Sequence, residues 1–61
     1  MYKIMGRKTE KDGYTKVEAE EYYQFDQALD SIPLLWLLKK DYRYYQIRKG
    51  DCVKATFEFH V

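Results

Sequence analysis

The feature that most constrains the fold is an apolar run over residues 32–38, IPLLWLL. A membrane-spanning helix needs about 20 apolar residues, so this run is too short to cross a bilayer, and we expect no membrane contact. Asp26 suits a helix N-cap, with Phe25 as the apolar residue that precedes the cap. The two lysines at 39–40 place cations where the helix dipole favours them. The run therefore predicts one helix in the middle of the chain.

Pro33 affects this helix in one of two ways. It has no backbone N–H, and inside a helix its ring collides with the carbonyl of Leu29. Either the helix kinks at this point, or it splits into two pieces with Ser31 capping the second and Pro33 in its first turn. The sequence leaves both alternatives open.

The apolar side chains of the helix fall on two sides when they are placed at about 100° per residue. One stripe, which we expect to face a sheet with Trp36 as the anchor, consists of Ala28, Leu29, Ile32, Leu35 and Trp36. The opposite stripe consists of Leu34, Leu37 and Leu38. Because one sheet covers only one stripe, these three leucines predict a surface for a partner, either a second copy of the chain or another protein. A break at Pro33 would instead rephase the helix and bury most of them within the monomer.

A first hairpin is predicted around Asp12-Gly13, a pair typical of two-residue turns because both positions need a positive φ. Residues 2–9 would then pair with a return strand over about 14–22. This register sets Tyr2 opposite Tyr23 and Arg7 opposite Glu18, a favourable cross-strand charge pair.

A second hairpin is predicted from strands at 42–48 and 52–61, joined by a turn at 49–51. In the last strand one face consists of Val53, Ala55, Phe57, Phe59 and Val61, and the other of Cys52, Lys54, Thr56, Glu58 and His60. A two-residue loop sets Tyr44 opposite Phe57, whereas a three-residue loop turns Tyr45 and Ile47 towards the core. A slip of one residue reverses the whole face. We prefer Tyr45 and Ile47 inside, because Ile47 would otherwise be exposed among lysines.

These elements predict an α+β fold in the order β-β-α-β-β, with an antiparallel sheet of two hairpins and one helix on one face. The 61 residues form a single domain, 1–61. Cys52 is the only cysteine, so no internal disulfide stabilises the chain. Small domains without such links often rely on oligomerisation, which favours a homodimer. A lone cysteine and no apolar signal segment near the N-terminus favour the cytosol.

Two residue pairs could suggest catalysis. Cys52 and His60 share one side of a strand but lie roughly 26 Å apart along it, too far to act together. Asp26 and Asp30 at helical spacing are explained by capping and solvation. No phosphate-binding loop, metal-ligand cluster or nucleophile elbow occurs. We therefore predict a non-catalytic protein-interaction module with no cofactor and no metal.

The charges are sorted along the chain. Residues 1–17 carry five basic and two acidic side chains, residues 18–38 carry five acidic and no basic ones, and residues 39–61 carry six basic and three acidic ones. Helix-dipole and cross-strand pairing account for this sorting. The alternative is a basic face on which tyrosines stack bases and cations hold phosphates. The residues of this nucleic-acid-binding alternative are Tyr42, Arg43, Tyr44, Arg48 and Lys49.

The layout of the whole chain combines an opening MYKI at 1–4, a charged hairpin with Asp12-Gly13, one helix, and a strand with YYQI at 44–47. It resembles the layout of short accessory proteins from phages and prophages of Gram-positive bacteria. The resemblance implies an accessory or inhibitor protein that binds host or phage proteins, or nucleic acid. It transfers no functional residues.

Overall fold

One antiparallel sheet of four strands carries a single helix on one face in the computed structural model, which describes residues 1–38 and 41–59. The elements are β1 (Tyr2–Arg7), β2 (Thr15–Lys16), α1 (Phe25–Leu38), β3 (Tyr44–Lys49) and β4 (Cys52–Glu58). The sheet order is β2-β1-β3-β4, and α1 contacts the two central strands. The predicted α+β class and the order β-β-α-β-β are confirmed. The predictions made for Lys39, Lys40, His60 and Val61 lie outside the described residues.

The helix is continuous through Pro33, so the split into two pieces is wrong. Pro33 removes one helical hydrogen bond and adds a steric clash, which together destabilise a helix interior by about 3 kcal/mol. Its neighbours Ile32 and Leu35 are both buried in the core, and burial of such side chains stabilises by about 1.5–3 kcal/mol each. Packing against the sheet therefore outweighs the local preference for a break.

The two predicted capping residues are also wrong. The helix begins at Phe25, so Asp26 lies inside the first turn, where its charge still suits the dipole. Ser31 lies in the middle of the helix, and its hydroxyl donates a hydrogen bond to the Ala28 carbonyl at 2.6 Å. Because the helix does not restart after Ser31, there is no second N-terminus for it to cap.

The core lies between α1 and the sheet. Its buried apolar residues are Ile4, Val17, Ala28, Ile32, Leu35, Tyr45 and Ile47. Trp36 stacks on Phe59 with ring centroids 5.0 Å apart and planes 6° from parallel, which confirms it as the anchor between helix and sheet. Leu29, predicted to face the sheet, is 38% exposed at the margin of the buried stripe.

The first hairpin has a different register from the predicted one. Met5 pairs with Lys16 and Gly6 with Thr15, which lengthens the loop well beyond two residues. Among the described residues only Gly50 has a positive φ, so Asp12-Gly13 does not form the predicted turn. Instead the Thr9 N–H donates to Asp12 Oδ2 at 3.2 Å, and the Asp12 N–H donates to the Thr9 carbonyl at 3.2 Å. The Asp12 carboxylate thus closes a local turn of its own.

The predicted pairs of this hairpin do not form. Tyr2 bridges Tyr22 rather than Tyr23, with N–H to carbonyl distances of 2.6 and 2.8 Å. Glu18 does not lie opposite Arg7, and it accepts a hydrogen bond from the Tyr22 hydroxyl at 2.7 Å. This hydrogen bond raises the pKa of the Tyr22 phenol, because the neutral hydroxyl is the form that donates.

The second hairpin combines features of both open alternatives. Lys49 pairs with Cys52 across a two-residue loop, and Gly50 in that loop has a φ of 61°. The register then shifts between Arg48 and Ile47, where β4 contains one extra residue, Lys54. Such a bulge turns the following residues to the opposite face.

As a result, Tyr45 and Ile47 point inwards and are fully buried, as preferred from the sequence. Tyr45 lies opposite Phe57, and Ile47 lies opposite Ala55. Val53, predicted on the core face, precedes the bulge and is 49% exposed. The bulge therefore removes Val53 from the apolar face of β4.

Candidate interaction surfaces

The first candidate surface is the leucine face, which we define as Leu34, Leu37 and Leu38 on α1. These residues are spaced so that they lie side by side on the helix, away from the buried stripe. They are 62%, 63% and 80% exposed, respectively. Pro33 does not rephase the helix, so the alternative in which most of these leucines are buried within the monomer is wrong.

The C-terminal half of α1 is apolar around its whole circumference, from Ile32 to Leu38. The N-terminal half, in contrast, presents Asp26 and Asp30 to solvent. A helix that is apolar all round is normally buried on every side, and monomeric proteins rarely expose large apolar patches. The leucine face is therefore the part of the described surface that is least suited to water.

The second candidate surface is the open sheet face, the side of the sheet opposite α1. Strand alternation places on it the residues next to the buried Ile4, Tyr45 and Ile47. Three cross-strand pairs of β1 and β3 belong to this face: Lys3 with Arg48, Met5 with Gln46, and Arg7 with Tyr44. The two strands come from the basic terminal segments of the chain, so the face is predominantly basic.

A cluster of arginines and tyrosines lies at the centre of the open sheet face. The Arg7 guanidinium carbon is 4.7 Å from the centroid of the Tyr14 ring and 4.8 Å from that of Tyr44. The Arg48 guanidinium carbon is 5.5 Å from the Tyr14 ring, and Arg48 donates two hydrogen bonds to Gln46 Oε1. Arg7 Nη1 also donates to the Glu10 carbonyl at 2.9 Å, which ties the β1–β2 loop to the sheet.

Only two of the five residues proposed for nucleic-acid binding meet in this cluster, Tyr44 and Arg48. Sequence reasoning missed Arg7 and Tyr14. Arg7 reaches Tyr44 because β1 pairs with β3. One of these strands precedes α1 in the sequence and the other follows it, so no local pattern of residues indicates the pairing. Tyr14 lies beside Arg7 because the loop before β2 is longer than predicted.

The other three proposed residues lie elsewhere. Tyr42 packs against the core, with its ring centroid 6.4 Å from that of Tyr45. The Lys49 ammonium is 5.4 Å from the ring of Tyr2, which itself packs edge-on against Phe25 of the helix. Arg43 is exposed beside a groove. Arg43 shares this groove with Tyr44, so of the three only Tyr42 and Lys49 lie away from Tyr44.

The groove beside Arg43 has a volume of about 710 Å³. Its lining consists of Lys8, Thr9, Glu10, Lys11, Asp41, Arg43 and Tyr44. Cations and carboxylates alternate around it, and the Tyr44 hydroxyl donates to Glu10 Oε1 at 3.3 Å. Because opposite charges lie together, the groove does not favour an anion or a cation strongly.

The residues considered for catalysis that lie in the described part of the chain are all exposed. Cys52 is exposed at the start of β4, and His60 lies outside the described residues. Asp26 and Asp30 are both exposed on α1. Burial raises the pKa of the Tyr45 phenol, the direction opposite to that of an activated nucleophile. Within 1–38 and 41–59, no three histidine, cysteine or acidic side chains come together as metal ligands.

Comparisons of the chain with known protein families, curated proteins and solved structures give no match. No helix among the described residues has the length and apolar character needed to span a membrane. What the chain does is therefore inferred from its surfaces.

Proposed function

We propose that the chain is a small protein-interaction module without catalysis of its own, and that its leucine face binds a second copy of the chain. The observation that carries this proposal is the exposure of Leu34, Leu37 and Leu38 on a helix half that is apolar all round. The resemblance in layout supports a role as a phage-type accessory or inhibitor protein. The lone cysteine supports action in the cytosol.

A second copy is the occupant that the chemistry of the leucine face favours. In a symmetric dimer the same patch meets itself, and the leucine face contains no charged side chain that would then meet a like charge. Full burial of an exposed leucine stabilises by about 1.5–3 kcal/mol, and these three leucines are only partly covered in the monomer. Their summed burial has to exceed an association cost of at least about 4 kcal/mol.

Replacing Leu37 by glutamate is expected to lower the solution mass while leaving the domain folded. Leu37 is 63% exposed in the monomer, so the substitution changes monomer stability little but places a charge in the middle of the interface. Light scattering across a concentration series measures the mass, and circular dichroism checks the fold.

The matched control is Gln27→Glu, which adds the same charge to the exposed side of the N-terminal half of α1. It should leave the mass unchanged. Two results would contradict the proposal. A wild-type monomer at every concentration would remove the homodimer, and unfolding of the Leu37→Glu variant would assign Leu37 to the monomer core.

A second candidate function, binding of single-stranded nucleic acid, is favoured by the cluster on the open sheet face. Arginines beside tyrosine rings on an exposed sheet are a common arrangement for stacking bases and holding phosphates. The basic side chains of this face are Lys3, Arg7, Lys16 and Arg48. Glu21 offsets one of them, since its carboxylate lies 3.2 Å from the Lys16 ammonium.

If this second function holds, Arg48→Ala should weaken binding of a single-stranded oligonucleotide. The slope of the logarithm of the affinity against the logarithm of the salt concentration should become shallower by the share of about one phosphate contact. The control is Lys49→Ala, which removes one charge beside Tyr2, away from the cluster. Electrophoretic mobility at several salt concentrations measures both variants. No shift at low salt, or equal weakening by the two variants, would rule out the open sheet face as the binding surface.

A further inference from the structure

The leucine face and the open sheet face lie on opposite sides of the domain. Leu37 follows the buried Leu35 by two positions, which is roughly 200° around the helix. Leu34 follows the buried Ile32 by the same step. Because Leu35 and Ile32 pack in the core against the sheet, both exposed leucines point away from it. The open sheet face is the side of the sheet that α1 does not cover, so the two surfaces face in opposite directions.

The positions of these surfaces determine the layer order of a dimer formed through the leucine face. In a two-fold symmetric dimer the same patch meets itself, so the helices form the inner layers and the sheets form the outer ones. Both open sheet faces are then outermost and point away from each other. Packed layers lie roughly 10 Å apart, which separates the two open sheet faces by roughly 30 Å. A short strand of nucleic acid cannot lie on both.

The cations of the open sheet face are arranged in rows across the strands. Arg7 belongs to the first row, and Lys16, opposite Met5, belongs to the second. Lys3 and Arg48 face each other in the third. Neighbouring rows lie roughly 7 Å apart along the strands, because every second residue points to this face. This interval is comparable to that between successive phosphates of an extended nucleic-acid strand. A single strand that follows the direction of the β-strands therefore meets a cation at each row.

Tyr14 holds two of these cations in place. Its ring centroid lies 4.7 Å from the guanidinium carbon of Arg7 and 5.5 Å from that of Arg48. Arg48 starts two rows away from Arg7, and its two hydrogen bonds to Gln46 Oε1 fix the side chain on its way to the ring. Guanidinium groups that are already fixed lose little side-chain freedom when they bind a phosphate.

Carboxylates surround this line of cations but leave its centre basic. Glu10 accepts a hydrogen bond from the Tyr44 hydroxyl at 3.3 Å. Glu21 lies 3.2 Å from the Lys16 ammonium, which makes Lys16 the weakest of the four cations. Glu58 lies opposite Tyr44 on β4, the outermost strand on that side of the sheet. The charge that would attract an anion is therefore concentrated on the two central strands.

We propose that a dimer formed through the leucine face bridges two single strands of nucleic acid, one on each open sheet face. Such bridging rests on two proposals made above, the leucine-face dimer and nucleic-acid binding by the open sheet face. Each protomer contributes one complete binding face, so a monomer binds one strand and cannot bridge. Where both strands belong to one long molecule, the second contact is intramolecular and strengthens the binding.

A capture experiment tests the bridging. A biotin-labelled oligothymidylate of about eight nucleotides, which suits one binding face and cannot pair with itself, is immobilised and loaded with protein at low salt. Unbound protein is washed away, and a fluorescent copy of the same oligonucleotide is added. The wild-type dimer should retain it. Leu37→Glu should bind the immobilised strand but lose nearly all of the fluorescent signal, whereas the control Gln27→Glu should behave like the wild type.

Two further variants separate dimerisation from strand binding. Leu38→Glu, at the most exposed position of the leucine face, should lose the fluorescent signal in the same way as Leu37→Glu. Arg48→Ala should keep the solution mass of the dimer but capture less protein on the immobilised strand, because it removes one cation of the third row.

Failure of the bridging can be told apart from failure of the proposals on which it rests. A dimer that binds the immobilised strand without retaining the fluorescent one would overturn the bridging and leave the leucine face intact. Equal retention by Leu37→Glu and the wild type would overturn it as well. A wild-type monomer in light scattering would remove the leucine-face dimer and the bridging together. A dimer that captures no strand would remove nucleic-acid binding and, with it, the bridging.

Discussion

Replacing Ile47 by alanine is expected to destabilise the domain by about 2–5 kcal/mol. Ile47 is 0% exposed in the middle of β3, and truncation leaves a cavity between the sheet and α1. At roughly 0.05–0.15 kcal/mol per residue, the whole 61-residue chain has about 3–9 kcal/mol of stability. The variant should therefore lose a large share of this stability. Urea titration followed by Trp36 fluorescence measures the loss, because Trp36 stacks on Phe59 only in the folded state.

The comparison variant is Val53→Ala, which removes two side-chain carbons from β4, compared with the three that Ile47→Ala removes from β3. Because the bulge turns Val53 outwards, its truncation should change the free energy of unfolding by less than about 0.5 kcal/mol. Simple alternation along β4 would instead make Val53 a core residue. A loss at Val53 as large as at Ile47 would show that the strand has no register shift.

The second large effect is expected at Gly6, where alanine should cost about 1–3 kcal/mol through overpacking. A Cβ atom at this position would lie 2.5 Å from Val17 Cγ2 and 3.1 Å from Tyr42 Cδ1. Val17 is buried and cannot move away easily. Thermal or urea unfolding measures the loss. Adding Val17→Ala should recover part of it, because the double variant removes the atom that clashes.

Gly13→Ala provides the control. Nothing lies within 4 Å of a Cβ at Gly13, and its φ is not positive. Alanine should therefore be neutral, or stabilise by about 0.4–1 kcal/mol by restricting the unfolded chain. The two-residue turn predicted from the sequence would require a positive φ at Gly13, so a clear loss of stability there would favour that turn.

The second hairpin shows what the alternation of apolar and polar residues can predict and what it cannot. The preference for Tyr45 and Ile47 inside was correct, although the loop has two residues rather than three. The bulge at Lys54 explains how a two-residue loop and buried Tyr45 and Ile47 occur together. The turn pairs Lys49 with Cys52, and the bulge then shifts the register by one residue. A bulge needs no special residue, so apolar alternation cannot reveal it, and for that reason Val53 was assigned to the wrong face.

The predicted register of the first hairpin was wrong for a different reason. Asp12-Gly13 was interpreted as a turn between two strands, but Asp12 bonds back to Thr9 within the loop. Arg7, assigned to Glu18 across the hairpin, lies between Tyr14 and Tyr44 instead. The contact with Tyr44 depends on the pairing of β1 with β3, which no local pattern of residues encodes.

The exposure of the leucine face was predictable because it depends only on helical periodicity. α1 runs without interruption, so the phase calculated from the sequence holds on both sides of Pro33. Of the nucleic-acid candidates, Tyr44 and Arg48 share a face because they alternate along one strand. Tyr42 precedes β3, and Lys49 is its last residue, beside the turn. At these two positions the alternation of inward and outward side chains along the strand no longer determines which residues surround the side chain.

The sheet order also determines how the chain can reach its native state. The central pair joins β1 to β3, so Tyr2 meets Lys49 across nearly the whole described chain. Neither hairpin can complete the core alone, and the long loop that contains α1 has to close before the central pair forms. Folding should therefore be a single cooperative step, slower than that of helical bundles of similar length. During synthesis, β1 would have to wait for its partner strand until residues 44–49 have been made.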